Sequence, residues 1–138
     1  MEEIDLLTVG DASLDVFLSP TESETLCQLN DKEAIICFSY GDKIPVKNLV
    51  FSIGGNAANN SIGTKRLGIR SACVISVGDD YIGKQIVERL NEERVNINFV
   101  VQQTSTSSNY STVINVAGER TIFTYKSQKS YDLPAQLP

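Results

Sequence analysis

Ile69 to Glu93, IRSACVISVGDDYIGKQIVERLNEE, carries the reading that decides the fold. Its first part, Ile69 to Val77, is rich in β-branched and small side chains and reads as a clear strand. Gly78 punctuates the run, and from Asp80 to Glu93 the period changes. Ile82, Ile86 and Leu90 now recur one turn apart with charged residues between them, the stripe of an amphipathic helix, and Asp79 or Asp80 stands where a helix cap belongs. Asn96 to Val101 returns to extended character. Strand, helix and strand in that order predict a right-handed crossover between parallel strands.

The same pattern continues upstream. Ile4 to Gly10 (IDLLTVG) reads as a buried strand opening into a loop at Asp11, and a short extended piece, Leu14 to Leu18, follows. Lys47 to Ile53 (KNLVFSI) is extended, Gly54-Gly55 interrupts it, and Asn56 to Leu67 (NAANNSIGTKRL) has the i, i+4 spacing of a helix closed by Gly68. Between them, Ser19 to Asn30 is polar and opens on Ser-Pro, predicting a surface excursion, with Glu33 to Ser39 a strand and Tyr40 to Lys43 a turn. Downstream, Ser111 to Val116 and Thr121 to Tyr125 predict a hairpin around Ala117-Gly118-Glu119-Arg120. Ser127 to Pro138 has neither period, and Pro134 and Pro138 mark it as a connection rather than a closing element. The expected class is α/β, a parallel sheet covered by helices with an antiparallel addition.

Composition narrows the function. The chain has 138 residues, 41% hydrophobic and 21% charged, the profile of a globular domain able to bury a core. Acidic and basic residues interrupt every apolar run, so no membrane span is expected. With 12 Lys and Arg against 17 Asp and Glu, the net charge of −5 offers no basic field, and nucleic acid is not an expected partner. The absence of His removes the commonest general base and metal ligand, so neither a hydrolytic triad nor a metal centre is expected. Cys27, Cys37 and Cys73 form no CxxC pair, and the acidic start lacks an apolar signal core, which together predict a cytoplasmic protein with buried thiols.

Three clusters could carry chemistry. Gly54-Gly55-Asn56-Ala57-Ala58-Asn59 places adjacent glycines at a strand-to-helix junction, where a ligand can approach the backbone and exposed amides can meet hydroxyl or anionic oxygens. Asn59, a turn into the helix, could both donate to and accept from a polyol; equally, the glycines could be a turn and Asn56 a cap. Gly10-Asp11-Ala12-Ser13-Leu14-Asp15 lies at the C-terminal end of the first strand, where parallel sheets open their ligand crevices. A carboxylate there could hold vicinal hydroxyls or simply satisfy loop amides. Gly78 to Lys84 matches GxxxxGK, but Gln85 stands where a magnesium-binding Ser or Thr belongs, and Asp79 and Asp80 would repel phosphates. A P-loop is therefore rejected, and no GxGxxG dinucleotide fingerprint occurs.

Taken together, Val9 to Asp15, Gly54 to Asn59 with Arg66-Leu67-Gly68, and Val77 to Gly83 resemble the N-terminal part of ribokinase-like (PfkB) carbohydrate kinases, over about Asp5 to Tyr125. The resemblance implies a three-layer α/β/α sandwich with a small β-sheet lid, present here as its N-terminal, substrate-binding portion over 1–138. Lid strands would lie near 33–53 and 108–125, with Ser19 to Lys43 an enlarged feed to the lid. It further implies ATP-dependent phosphorylation of a hydroxymethyl group on a sugar or nucleoside, with Mg2+. Asp15 would bind substrate hydroxyls, Gly55 would let the substrate sit against backbone, and Asn59 would contact the sugar. Ser13, Gly54 and Asn56 would flank the pocket and Asn109 would reach it from the start of a lid strand. Ser13 stands where several members have Asn, and Asn56 where ribokinases have Lys. Pairing of lids would give a homodimer, since exposed sheet edges favour such association. The family's catalytic aspartate sits in a GAGD-type motif that this sequence lacks, so no catalytic or metal-binding residue is assigned and the main ATP contacts are not expected here. Little or no turnover by these residues alone is the expectation, because phosphoryl transfer needs the metal and a base at the hydroxyl. The alternative is a non-catalytic sugar-binding or dimerisation module of the same fold.

Overall fold

The computed structural model describes residues 3–21, 26–30, 33–131 and 133. In chain order the elements are β1 (Leu6–Val9), β2 (Ser13–Pro20), β3 (Leu26–Asn30), β4 (Glu33–Ile36), β5 (Val46–Gly54), α1 (Asn56–Arg66), β6 (Ser71–Gly78), α2 (Tyr81–Glu92), β7 (Val100–Gln103), β8 (Asn109–Val116) and β9 (Glu119–Tyr125).

The expected parallel sheet has the order β1–β6–β7, with Leu6 opposite Ser71 at one side and Ile75 opposite Val100 at the other. β6 is its central strand and every residue in it is buried, Ser71 and Ser76 included, as a strand with neighbours on both sides requires. Cys73, Ile75 and Val77 join Ala57, Ala58 and Ile62 of α1 and Ile86 and Leu90 of α2 in the core. The alanines of α1 allow close approach to the sheet, and the Thr8 hydroxyl donates to the Ala57 carbonyl at 2.9 Å. Burial pushes the Cys73 thiol up to about 11, with a hydrogen bond to Ser61 acting the other way, so it packs as a small apolar group. Asp80 rather than Asp79 caps α2, accepting from the Gly83 amide at 2.8 Å. Glu93, just past α2, accepts from Arg66 and Arg89, so the exposed C-terminal ends of both helices are tied together. Among the described residues no helix is long and apolar enough to cross a membrane.

Both described helices cover one face of this sheet. The other carries Val74, Ser76 and Val101 and lines a pocket of about 220 Å3 closed partly by Tyr131 and Leu133. Val9 is 57% and Val101 41% exposed there, and the buried Ser76 hydroxyl has no hydrogen-bond partner. The second helical layer of a three-layer sandwich is not among the described residues. An unpaired buried hydroxyl costs about 1 kcal/mol or more. Ser76→Ala is therefore expected to raise the urea midpoint of the chain at unchanged slope; an unchanged or lower midpoint would show that the hydroxyl is satisfied by solvent.

A second, mixed sheet has the order β5–β2–β8–β9. β2 pairs antiparallel with β5 and parallel with β8, and β9 returns antiparallel to β8. The turn is shorter than predicted. Ala117 and Gly118 alone make it, at φ 50° and 84°, and Glu119 and Arg120 already belong to β9. Two consecutive positive φ values match the twist of the strands, which is why two residues suffice. β3 and β4 form a separate hairpin, so Leu26–Asn30 is a strand rather than part of an irregular excursion, and Ser19 and Pro20 end β2. Leu26–Asn30 is short and closes a largely polar stretch, so no period marks it in the sequence, whereas Glu33–Ile36 lies within the strand expected over Glu33 to Ser39. Residues 22–25, the Cys27 side chain, Pro134 and Pro138 lie outside the described residues.

Candidate functional site

The two sheets meet where β2 begins and β5 ends, with Ser13 opposite Gly54. Strand alternation puts Ser13 and Asp15 on one face, and the Ser13 hydroxyl donates to Asp15 Oδ1 at 2.8 Å. Gly54 leaves room for that carboxylate. A Cβ on it would lie 2.0 Å from Asp15 Oδ2 and 2.7 Å from Ser13 Oγ. Gly55 has φ 90°, and a Cβ there would lie 2.4 Å from the Asp11 carbonyl oxygen and 2.6 Å from Ala12 Cα. The same Asp11 carbonyl accepts from the Ala57 amide, so the β1–β2 connection lies directly against the start of α1. Asn56 and Asn59 are exposed on the first turns of that helix, whose buried side is formed by Ala57, Ala58, Ser61 and Ile62. Ser13, Asp15 and Gly54 are thus in contact, Gly55 is adjacent, and the asparagines of α1 follow within one turn.

Asn109 sits opposite Ser13 on the other side of β2 and is 4% exposed. Its Oδ1 accepts from Lys129 Nζ at 2.8 Å and from the Ser127 amide at 3.2 Å, and its side chain also hydrogen-bonds Tyr131. Tyr131 donates to Asp11 Oδ1 at 2.7 Å, and Lys126 Nζ lies 3.8 Å from Asp11 Oδ2. Burial and the neighbouring Asp11 carboxylate raise the pKa of the Tyr131 hydroxyl. Burial lowers that of Lys129, against the pull of Asp11 and Asp80. Residues 126–131 therefore strap the end of the mixed sheet to the C-terminal end of β1. Sequence reading treated this segment as a connection, and its only signal was an alternation of lysine, tyrosine and serine without periodicity.

The Gly78 to Lys84 segment does not fit a phosphate. Asp80 Oδ1 accepts from the Gly83 amide and, at 2.7 Å, from the Ser108 hydroxyl, while Oδ2 accepts from the Ser108 amide at 2.8 Å. The N-terminus of α2 is thereby filled by the chain's own carboxylate. A Cβ on Gly78 would lie 2.0 Å from the Thr106 carbonyl oxygen, so the space a phosphate would need holds backbone. Burial pushes the Asp80 carboxyl up, but the hydrogen bonds from Ser108 and Gly83 outweigh it and hold the group below the usual aspartate value. No group of three His, Cys, Asp or Glu side chains that could hold a metal ion occurs among the described residues.

A parallel sheet with α2 crossing from β6 to β7, reached from a mixed sheet through α1, is the α/β arrangement that this chain shares with ribokinase structures. The ribokinase of Arabidopsis thaliana, solved with ribose and ATP, superposes with a TM-score of 0.68 at 22% identity, over 88% of this chain and 35% of its own. The model of the pfkB family carbohydrate kinases matches residues 20–138, and the chain belongs to that family. An ATP-dependent 6-phosphofructokinase of Thermoanaerobacterium thermosaccharolyticum is 32% identical over 101 residues, 73% of this chain and 26% of that protein. The ribokinase of Mus musculus is 28% identical over 83 residues, 59% of this chain and 26% of its own length. The chain thus spans about a quarter of the length of these curated relatives.

Proposed function

We propose that residues 1–138 are the substrate-binding portion of an ATP-dependent kinase that phosphorylates a hydroxymethyl group of a sugar or nucleoside in the cytoplasm. The observation that carries this reading is the Ser13–Asp15–Gly54 contact, in which a glycine keeps a carboxylate free to accept from substrate hydroxyls beside the start of α1. Asp15 holds two hydroxyls, Gly55 admits the substrate against backbone, and Asn59 and Asn56 close the pocket from the helix. Ser13 orients Asp15, and Asn109 supports the wall from β8. The mixed sheet, with β5, β8 and β9 near the expected lid positions, acts as the lid. ATP and Mg2+ are held by residues outside this portion, and the chain alone turns over little or no substrate.

A second reading, a sugar-binding or dimerisation module without catalysis, is favoured by the apolar side chains on the two edge strands. Phe51 of β5 is 63% and Phe123 of β9 60% exposed, and lids pairing through these strands would bury both.

The test is thermal unfolding of the chain with a panel of sugars and nucleosides, each with and without magnesium ATP. A ligand that binds only the folded chain raises its melting point, by about 2.7 kcal/mol of stability at a hundred times its Kd. The expected result is a shift by one class of polyol that Asp15→Ala abolishes, with none from ATP alone. A shift from ATP alone would overturn the assignment of the nucleotide to another part of the protein.

A further inference from the structure

The segment Gly78-Asp79-Asp80-Tyr81-Ile82-Gly83 takes no part in the pocket just described and excludes a phosphate, yet its hydrogen bonds reach across the molecule. Ser108 is 1% exposed, and its hydroxyl donates to Asp80 Oδ1 while accepting from the Gly78 amide at 2.9 Å. The Ser108 amide donates to the other Asp80 oxygen. Asp79 Oδ2 accepts from the Ser105 amide at 3.1 Å, so both carboxylates hold the connection between β7 and β8. The two glycines make this approach possible. A Cβ on Gly83 would lie 2.1 Å from the Gly78 carbonyl oxygen and 2.8 Å from Ser108 Oγ, as the one on Gly78 would strike Thr106. A helix cap needs only one acceptor for the Gly83 amide; the second oxygen and the buried serine bind something else.

What they bind is the start of β8. Asn109 follows Ser108 directly, begins the strand and lies opposite Ser13, whose hydroxyl reaches Asp15. Among the described residues β9 pairs with β8 alone, so it takes its position from that strand. We propose that Asp80 is a positioning residue which, through Ser108, clamps the root of β8 to the junction of β6 and α2 and thereby sets Asn109 against Ser13 and Asp15. As a statement about a substrate pocket, this rests on the function proposed above.

The test separates the clasp from the helix cap and from the pocket. Asp80→Ser keeps an N-cap oxygen for the Gly83 amide but is too short to bridge to the Ser108 amide, and Ser108→Ala removes the hydroxyl while leaving the cap intact. Amide hydrogen exchange of the 138-residue chain is followed by mass spectrometry for each variant. Exchange at Tyr110 to Val113 is expected to rise about tenfold or more in both, while Ser71 to Val77 of β6 and the last two turns of α2 stay within about twofold of the parent, the Gly78 amide being set aside because it loses its own acceptor in Ser108→Ala. Unchanged exchange at Tyr110 to Val113, or an equal rise in β6, α2 and β8, overturns the clasp. Should Asp80→Ser fail to fold, Ser108→Ala alone decides by the same criteria. Repeating the exchange of the parent with d-ribose and with d-fructose tests the pocket separately. Protection of β2 or α1 by either sugar supports the pocket, and its absence with the clasp effect present counts against the pocket alone.

Discussion

Gly55→Ala is expected to remove about 4 kcal/mol of the chain's stability. The residue sits at φ 90°, which L side chains rarely adopt, and the added Cβ would fall 2.4 Å from the Asp11 carbonyl oxygen and 2.6 Å from Ala12 Cα. Both are backbone atoms of the β1–β2 connection, and neither can step aside without breaking the Ala57 to Asp11 hydrogen bond that joins this connection to α1. The strain of the dihedral costs about 1 kcal/mol and the displacement adds several more, together about 4 kcal/mol, against a total stability of about 5–15 kcal/mol for a domain. Gly68→Ala is the control. Gly68 has φ 87° after α1 with open space around its Cβ direction, so only the dihedral term applies. Circular dichroism and urea titration should show Gly68→Ala displaced by about 1 kcal/mol and Gly55→Ala by about 4 kcal/mol. Two variants displaced equally would mean that the β1–β2 connection yields to the new methyl group.

Gly54→Ala is expected to fold and to lose the response to sugar. Here the new Cβ meets the end of a side chain rather than backbone, 2.0 Å from Asp15 Oδ2 and 2.6 Å from its Cγ. Rotation of Asp15 away from the junction relieves the collision, which also breaks the 2.8 Å contact from Ser13. Stability falls modestly, whereas the carboxylate no longer faces the substrate. Loss of two hydrogen bonds to a charged group, about 3 kcal/mol, lowers affinity for the polyol by about a hundredfold. Calorimetric titration with the sugar that shifts the parent protein checks this. A Gly54→Ala chain that binds as tightly as the parent would place the substrate away from Asp15, and one that binds no better than Asp15→Ala would tie both residues to one site.

Much of the frame was legible because its signals are local. The apolar run before Gly78 and the Ile82, Ile86, Leu90 stripe required β6 and α2, and two such units required parallel strands. The glycine pair was legible as a junction. Its two distinct duties, Gly54 against Asp15 and Gly55 against the Asp11 backbone, were not, since each depends on a strand from a different part of the chain. β3 was hidden by its shortness at the end of a largely polar stretch, and the strap of Lys126, Lys129 and Tyr131 by the lack of any period.

The amino-acid sequence by itself determined the α/β class, the order of strands and helices apart from β3, the exclusion of a P-loop and the family motifs, because these follow from periodicity, charge and short-range spacing. Only the tertiary structure decided that Ser13, Asp15 and Gly54 touch, that Asn109 is buried behind the strap, and that Asp80 reaches Ser108 across the fold. The physical reason is that hydrogen bonds and close packing between residues far apart in the chain depend on the register and crossing of strands, which no local pattern encodes.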